Sequence, residues 1–174
     1  LVAGLATGAS AKSLYVIAKT NVATAPINTY EIQPAPSYLA FQNQVNITQH
    51  AKGPFDVCMD SVSRTLFVTY AGSNVIEIVG AETMAPVGGT TAWGASSLAG
   101  IEFDQDKSRV YTVNRFTCHL YVFKWDSVAK SLTLESDLFL AGVGAAHGIA
   151  LDGQSDLLYV ADSSSKTVRC FRTS

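Results

Sequence analysis

Four segments of this chain share one pattern of residues, and this repetition limits the possible folds more than any other feature of the sequence. Each segment contains a short apolar run, a polar turn and then a run of strand-forming residues around one aromatic anchor. The four anchors, Tyr15, Phe67, Tyr111 and Tyr159, are 52, 44 and 48 residues apart. A period of about 40 to 50 residues suits a four-stranded blade of a β-propeller. The repeat therefore predicts an all-β propeller with four blade-like repeats.

The polar turn of each repeat opens with a residue type that favours tight turns. Asp60, Asp104 and Asp152 hold this position in three repeats, and Gly8 holds it in the first. An Asp side chain in a turn can accept a hydrogen bond from the backbone two residues on, and Gly tolerates positive φ. The runs after the turns are rich in Leu, Val and aromatic residues, which favour strands, and no segment has a helical period. We therefore expect strands and no helices.

Two of the repeats resemble known families of propeller repeats. Asp152 and the run Leu158-Tyr-Val-Ala-Asp162, followed by Lys166-Thr-Val-Arg-Cys-Phe171, resemble an NHL repeat. The run Leu66-Phe-Val-Thr-Tyr-Ala-Gly-Ser-Asn74-Val-Ile-Glu-Ile resembles the YVTN repeat, and Tyr111-Thr-Val-Asn114 is a near match. The resemblance extends over nearly the whole chain. It implies the propeller fold and leaves the function open.

The repeats divide a single domain, residues 1–174, into blades at approximately 1–50, 51–97, 98–144 and 145–174, with no fourth strand in the last. Residues 1–11 fit the first repeat, and the alternative is the tail of a secretion signal. The resemblance implies a ring of about six or seven blades, so four repeats form an incomplete ring. Three interpretations remain open: part of a larger propeller, copies that assemble edge to edge, and a four-bladed ring that closes alone.

Composition and charge argue against several functional classes. Hydrophobic residues make up 48% and charged residues 15% of the chain, which is typical of a globular domain. The formal net charge is −2 with scattered Lys and Arg, and no apolar run approaches the ~18 residues of a membrane helix. We therefore expect no nucleic-acid partner and no membrane insertion. Cys58, Cys118 and Cys170 have no CxxC spacing, so we expect at least two buried thiols, and one disulfide remains open.

Candidate binding residues lie where loops from successive blades come together. Strands alternate in direction within a blade, so the starts of the first strands and the turns between second and third strands lie on one face. This face, at the mouth of the channel, is predicted to carry Asp56, Tyr70, Glu102, Asn114, Arg115, His147 and Asp162. No nucleophile with a paired base is recognisable, so no catalytic residue is predicted.

A metal ion at the channel mouth is the alternative. The run that begins at His147 resembles the histidine-bearing strands of propeller lyases, but the equivalent positions carry no ligand type: Ala3, Phe55 and Ala99. One imidazole does not make a zinc site, so no metal ligand and no cofactor is predicted. The chain also resembles lactonase propellers, which implies calcium or zinc as the alternative cofactor, with Glu102, Asn114 and Asp162 as oxygen donors.

These observations favour a non-catalytic interaction or scaffold module. Its expected partner is another protein chain, or further copies of itself, at the open edges of the blades. The alternative is a lactonase-like or lyase-like propeller enzyme. The tripeptide Asn46-Ile-Thr48 makes Asn46 the candidate glycosylation site, and an extracellular or cell-surface location is expected.

Overall fold

The computed structural model describes residues 2–6, 13–17, 25–33, 39–47, 53–91 and 96–173, and every structural statement below concerns these residues. They form fifteen β-strands and no helix, so none of them lies in a helix long and apolar enough to span a membrane. The strands are β1 (Val2–Ala6), β2 (Ser13–Ile17), β3 (Ala25–Ile32), β4 (Leu39–Ile47), β5 (Pro54–Asp60), β6 (Thr65–Tyr70), β7 (Val75–Gly80), β8 (Pro86–Thr91), β9 (Leu98–Asp104), β10 (Arg109–Asn114), β11 (His119–Asp126), β12 (Ser131–Phe139), β13 (Ala146–Asp152), β14 (Leu157–Asp162) and β15 (Thr167–Arg172).

The strands form four antiparallel sheets in which each strand pairs with the next along the chain. Sheet 1 contains β1 to β4, sheet 2 contains β5 to β8, sheet 3 contains β9 to β12, and sheet 4 contains β13 to β15. The sheets pack in chain order with their first strands side by side, and among the described residues the stack does not close into a ring. The prediction of an all-β, incomplete propeller is therefore confirmed.

Carboxylates cap the turns between the first and second strands, as the sequence predicts. Oδ1 of Asp60, of Asp104 and of Asp152 accepts hydrogen bonds from the backbone N–H groups two and three residues later, at 3.0 to 3.3 Å. The fourth residue after each Asp has a positive φ, and these residues are Arg64 (54°), Ser108 (51°) and Asp156 (54°). The three aligned turns therefore have the same local geometry.

An aromatic pair and a buried hydrogen bond join sheet 2 to sheet 3. Phe67 of β6 packs edge-on against Trp125 of β11, with the ring centroids 4.9 Å apart. Burial of an aromatic side chain of this kind contributes roughly 1.5–3 kcal/mol. The indole Nε1 of Trp125 donates a hydrogen bond of 3.0 Å to Oδ2 of Asp60. The residue that caps the turn of sheet 2 thus also binds sheet 3.

Three of the four aromatic anchors are buried between sheets, and the fourth is not. Tyr15, Phe67 and Tyr111 are at most 2% exposed, and each belongs to the apolar cluster shared with the following sheet. Tyr159 is 37% exposed. Tyr159 therefore does not lie in a core between two sheets, because no described residues form a sheet against its side of sheet 4.

The three cysteines lie in different environments. Cys58 and Cys118 are buried, which confirms the expectation of at least two buried thiols. Cys170 is exposed on β15, and the three thiols are not paired with one another. Among the described residues, the sheets are therefore not linked by a disulfide.

Candidate functional site

The first strands of three sheets surround a cavity, here called the axial cavity. It has a volume of about 710 Å³ and is lined by residues of β5, β9 and β13, together with Tyr15 of β2 and Leu66 of β6. Asp56, Glu102 and His147 are among its lining residues. Each comes from a different sheet, because the first strands of successive sheets lie next to each other. The structure thus brings together three of the seven candidate binding residues.

Asp56 links two neighbouring sheets at the wall of the cavity. Its Oδ1 accepts a hydrogen bond of 2.9 Å from the N–H of Val57, and its Oδ2 accepts one of 3.0 Å from the N–H of Ile101 in β9. Burial raises the pKa of the Asp56 carboxyl to about 6, against the lowering effect of these two backbone donors. The carboxyl is therefore ionised only in part at slightly acidic pH.

Glu102 is the second carboxyl group of the axial cavity. Burial, and to a lesser extent the negative charge of Asp56, raise its pKa to about 7, against the lowering effect of the backbone N–H of Phe103. Burial and the same two carboxylates also raise the pKa of the Cys58 thiol, which lines the cavity and stays neutral. Burial and the repulsion between the Asp56 and Glu102 carboxylates both disfavour their ionised forms. The cavity therefore favours a proton or a bound cation that compensates their negative charge.

One aromatic contact in the cavity joins sheet 2 to sheet 4. The rings of Phe55 in β5 and His147 in β13 have centroids 5.9 Å apart at an interplanar angle of 50°. Gly100 of β9 lies close to β13, because a Cβ at this position would stand 2.7 Å from the backbone N of Ile149 and 2.8 Å from the carbonyl O of His147. The absence of a side chain at Gly100 therefore lets the two first strands approach closely.

Two candidate residues, Tyr70 and Arg115, have partners away from the cavity. Tyr70 is buried and donates a hydrogen bond from its hydroxyl to Oε2 of Glu77 on the adjacent strand β7. Burial and the Glu77 carboxylate raise the pKa of the Tyr70 hydroxyl, so it remains protonated. The guanidinium of Arg115 lies 5.3 Å from the ring centroid of Phe116. Neither residue lines the axial cavity.

The other two candidates, Asn114 and Asp162, cap turns between second and third strands. Oδ1 of Asn114 accepts hydrogen bonds from the N–H groups of Phe116 and Thr117 at 2.9 and 3.0 Å. Asp162 accepts hydrogen bonds from the backbone N–H groups of residues 144, 145 and 164. It also accepts them from the hydroxyls of Ser164 and Ser165, and these bonds hold its pKa below the usual range.

The oxygen donors proposed for a metal ion are thus largely occupied by turn contacts. Glu102 lines the axial cavity, whereas Asn114 and Asp162 point their oxygens at backbone N–H groups. Within the described residues, no group of three or more His, Cys, Asp and Glu side chains is arranged to hold a metal ion. The predicted alternative set of Glu102, Asn114 and Asp162 is therefore not assembled here.

Several residues of the cavity are not among the seven predicted binding residues, including Tyr15, Cys58 and Phe103. The repeat alignment contains a signal that finds one of them. Asp56 and Cys58 are two positions apart on β5, and Cys58 aligns with Glu102 of β9. Because alternate residues of a strand share a face, Cys58 belongs with the carboxyl groups. Asn46, the candidate glycosylation site, lies in β4, and Thr48 of the same tripeptide lies outside the described residues.

Comparisons with known proteins agree with this architecture. Residues 145–171 match the family model of the NHL repeat. Three solved structures are similar to the chain. One is in the crystal structure of a nidogen/laminin complex (16% identity, TM-score 0.69, 98% of this chain and 60% of that chain). Another is a protein from Lactobacillus plantarum (14% identity, TM-score 0.69, 97% of this chain and 54% of that chain). The third is a putative 6-phosphogluconolactonase from Bacteroides uniformis (10% identity, TM-score 0.76, 97% of this chain and 52% of that chain).

The fold and the repeats define the class: this chain is a β-propeller repeat protein, and its last repeat is an NHL repeat. The resemblance seen in the sequence is thereby confirmed. The chain spans between about half and three-fifths of the length of the three solved chains. No curated protein sequence matches it significantly. At these levels of identity the structural similarity shows the fold alone.

A change of Glu102→Gln tests the electrostatics of the axial cavity. The folded pKa of about 7 exceeds the ordinary 4.5, so the folded state binds more protons than the unfolded state between these values. The free energy of unfolding therefore falls as pH rises from about 4.5 to 7. Gln cannot ionise, so we expect the variant to be more stable at pH 8 by about 1–3 kcal/mol and nearly unchanged at pH 4.5.

Urea unfolding of both proteins at pH 4.5 and pH 8 measures this difference. Glu82→Gln is the matched control, because the Glu82 side chain is 76% exposed and lies outside the axial cavity. A stability difference between Glu102→Gln and the unmodified protein that is the same at both pH values would contradict the expectation.

Proposed function

We propose that residues 1–174 act as one non-catalytic β-propeller module that binds protein, outside the cell or at its surface. In this proposal the module adds further sheets, supplied by another chain or by copies of itself. The observation that carries the proposal is an exposed apolar strip on sheet 4, formed by Ala150, Tyr159, Ala161, Val168 and Cys170.

The strip follows from the register of sheet 4. Ala150 and Cys170 are the partners of Tyr159 on the two neighbouring strands, and Val168 is the partner of Ala161. These residues therefore share one face, and all five are exposed. The opposite face carries Leu158 and Val160, which are fully buried against sheet 3. A contiguous apolar strip of this kind on a folded protein marks an interaction surface.

The outer face of sheet 1 has a comparable feature. Phe41 of β4 is 58% exposed, and its ring packs edge-on against Tyr30 of β3 with centroids 5.7 Å apart. Ile27, whose side chain points to the opposite face of β3, is buried against sheet 2. Aromatic residues are thus exposed at both ends of the stack of sheets. Contacts between these two ends of successive copies would bury both.

The mass of the native particle tests the proposal. We expect particles with masses that are multiples of 18.5 kDa, and the double change Tyr159→Ser with Val168→Ser should convert them to monomers with unchanged circular dichroism. Val128→Ser is the control, because Val128 is 93% exposed but lies in a turn of sheet 3. A particle of 18.5 kDa at the highest soluble concentration of the unmodified protein would contradict assembly from copies.

The axial cavity supports a second candidate, a lactonase-like or lyase-like enzyme with calcium or zinc. The supporting observation is that Asp56, Glu102 and His147 from three sheets line one cavity, although these described side chains are not arranged to hold a metal ion as they stand. Metal analysis of the purified protein tests it. Stoichiometric calcium or zinc that is lost in Glu102→Gln and in His147→Ala would favour the enzyme, and a metal content unaffected by both changes would contradict it.

A further inference from the structure

We propose that the axial cavity binds an organic ammonium ion, that is, a protonated amine with an apolar body. The source of the ammonium group is a free amine or a lysine side chain of a protein partner. The inference does not depend on the proposed assembly, since the cavity lies between sheets of one chain. It rests on the charge, the hydrogen-bond acceptors and the aromatic walls of the cavity.

The charge of the cavity selects a cation. Its ionisable lining residues are Asp56, Glu102, Cys58, His147 and Tyr15, and none of the described residues that line it is a lysine or an arginine. Within the described part of the chain, no lysine or arginine in the cavity therefore opposes the charge of ionised Asp56 and Glu102. Their mutual repulsion is relieved by a ligand with positive charge, whereas an anion would increase it.

The carboxylates also have acceptor positions for an ammonium group. Each oxygen of Asp56 accepts one backbone N–H group, and a carboxylate oxygen has a second lone pair. Glu102 accepts a backbone hydrogen bond from Phe103 and keeps further acceptor positions. An ammonium group carries three donors and no acceptor. It thus matches a site that offers acceptors from two carboxylates.

The remaining walls fit an apolar body. Phe55, Phe103 and Tyr15 line the cavity together with Ile101 and Ile149. Aromatic ring faces attract cations, and the carbon skeleton of an amine packs against apolar side chains. The volume of about 710 Å³ lies within the range of roughly 300–1,000 Å³ that holds small organic ligands. A bare metal ion would leave most of this space to water.

Binding is expected to depend on pH in a defined direction. The ligand favours the ionised carboxylates, so its affinity rises as pH passes through the pKa values of about 6 for Asp56 and about 7 for Glu102. The other ionisable groups that line the cavity are His147, Tyr15 and Cys58, and the Cys58 thiol stays neutral because burial raises its pKa. From pH 6 to pH 8 we expect about a tenfold gain in affinity.

Isothermal titration calorimetry with matched probes tests the proposal. The probes are 2-phenylethylamine with neutral 2-phenylethanol as its control, and a capped lysine with capped norleucine as its control. We expect at least one amine to bind and its neutral control to bind at least about tenfold more weakly. The affinity of that amine for the Glu102→Gln variant should be about tenfold lower than for the unmodified protein. Glu82→Gln should bind like the unmodified protein. Circular dichroism verifies that each variant is folded.

The pattern of binding identifies the source of the ammonium group. Tighter binding of 2-phenylethylamine than of capped lysine supports a free amine, and the reverse supports a lysine of a protein partner. Three results would overturn the proposal: no binding of either amine, equal binding of the neutral controls, or an affinity that is the same at pH 6 and pH 8. Stoichiometric calcium or zinc that blocks both amines would also overturn it and would favour the enzyme instead.

Discussion

Tyr111→Ala is expected to lower the free energy of unfolding by about 3–5 kcal/mol, as truncation of a buried aromatic side chain does. Tyr111 lies in β10, is 1% exposed and packs in the cluster that also contains Leu158 and Val160 of sheet 4. Its removal leaves a cavity at the junction of sheets 3 and 4. Urea or guanidinium unfolding followed by circular dichroism measures the loss.

Tyr159→Ala is the matched control, because Tyr159 has the same place in the last repeat. Its side chain is 37% exposed and has no described sheet against it, so we expect a loss of only about 1 kcal/mol in the monomer. Equal losses of unfolding free energy in the two variants would contradict this expectation. They would mean that packing against a following sheet does not determine how much the anchor stabilises the fold.

Gly100→Ala is expected to destabilise the protein by about 2–3 kcal/mol, although Ala normally restricts the unfolded chain and stabilises. The new Cβ would stand 2.7 Å from the backbone N of Ile149 and 2.8 Å from the carbonyl O of His147. These are backbone atoms of β13, which cannot move as a flexible side chain can. The first strands of sheets 3 and 4 must therefore separate, and the axial cavity changes shape.

Gly148→Ala provides the comparison, since Gly148 aligns with Gly100 in the repeat. A Cβ at Gly148 meets nothing within 4 Å, so we expect a change within about 1 kcal/mol. Thermal and denaturant unfolding of both variants measure the difference. Similar stabilities for the two variants would show that β9 and β13 are farther apart than described.

The local features of the fold were predictable because they depend on a few neighbouring residues. Asp60, Asp104 and Asp152 cap their turns as their sequence context indicates, since an Asx turn needs only the next three residues. The alternation of apolar residues likewise identifies the strands. The four-sheet architecture then follows from repetition of one local pattern.

The candidate site was predictable only in part, because it depends on neighbours that the sequence does not reveal. Asp56, Glu102 and His147 meet in the axial cavity, as their location on the first strands of three successive repeats suggests. Asn114 and Asp162 were also candidate ligands, but their oxygens accept hydrogen bonds from turn N–H groups. An Asp that caps a turn and an Asp that faces a cavity have the same letter in the sequence, and only the backbone around them distinguishes the two.

The junctions on either side of sheet 3 should respond differently to ionic strength. At the first junction, Asp60 accepts the indole hydrogen bond of Trp125 inside the protein, where dissolved ions do not reach. At the second junction, Thr173 stands at the repeat position of Trp125 and has no indole to donate. Oδ2 of Asp104 accordingly has no hydrogen-bond partner among the described residues. An ion pair at the surface, Lys107–Asp156, joins the two sheets instead. Counterions screen such a surface pair. A high salt concentration should therefore weaken the packing of sheet 4 on sheet 3 and leave the junction between sheets 2 and 3 unchanged.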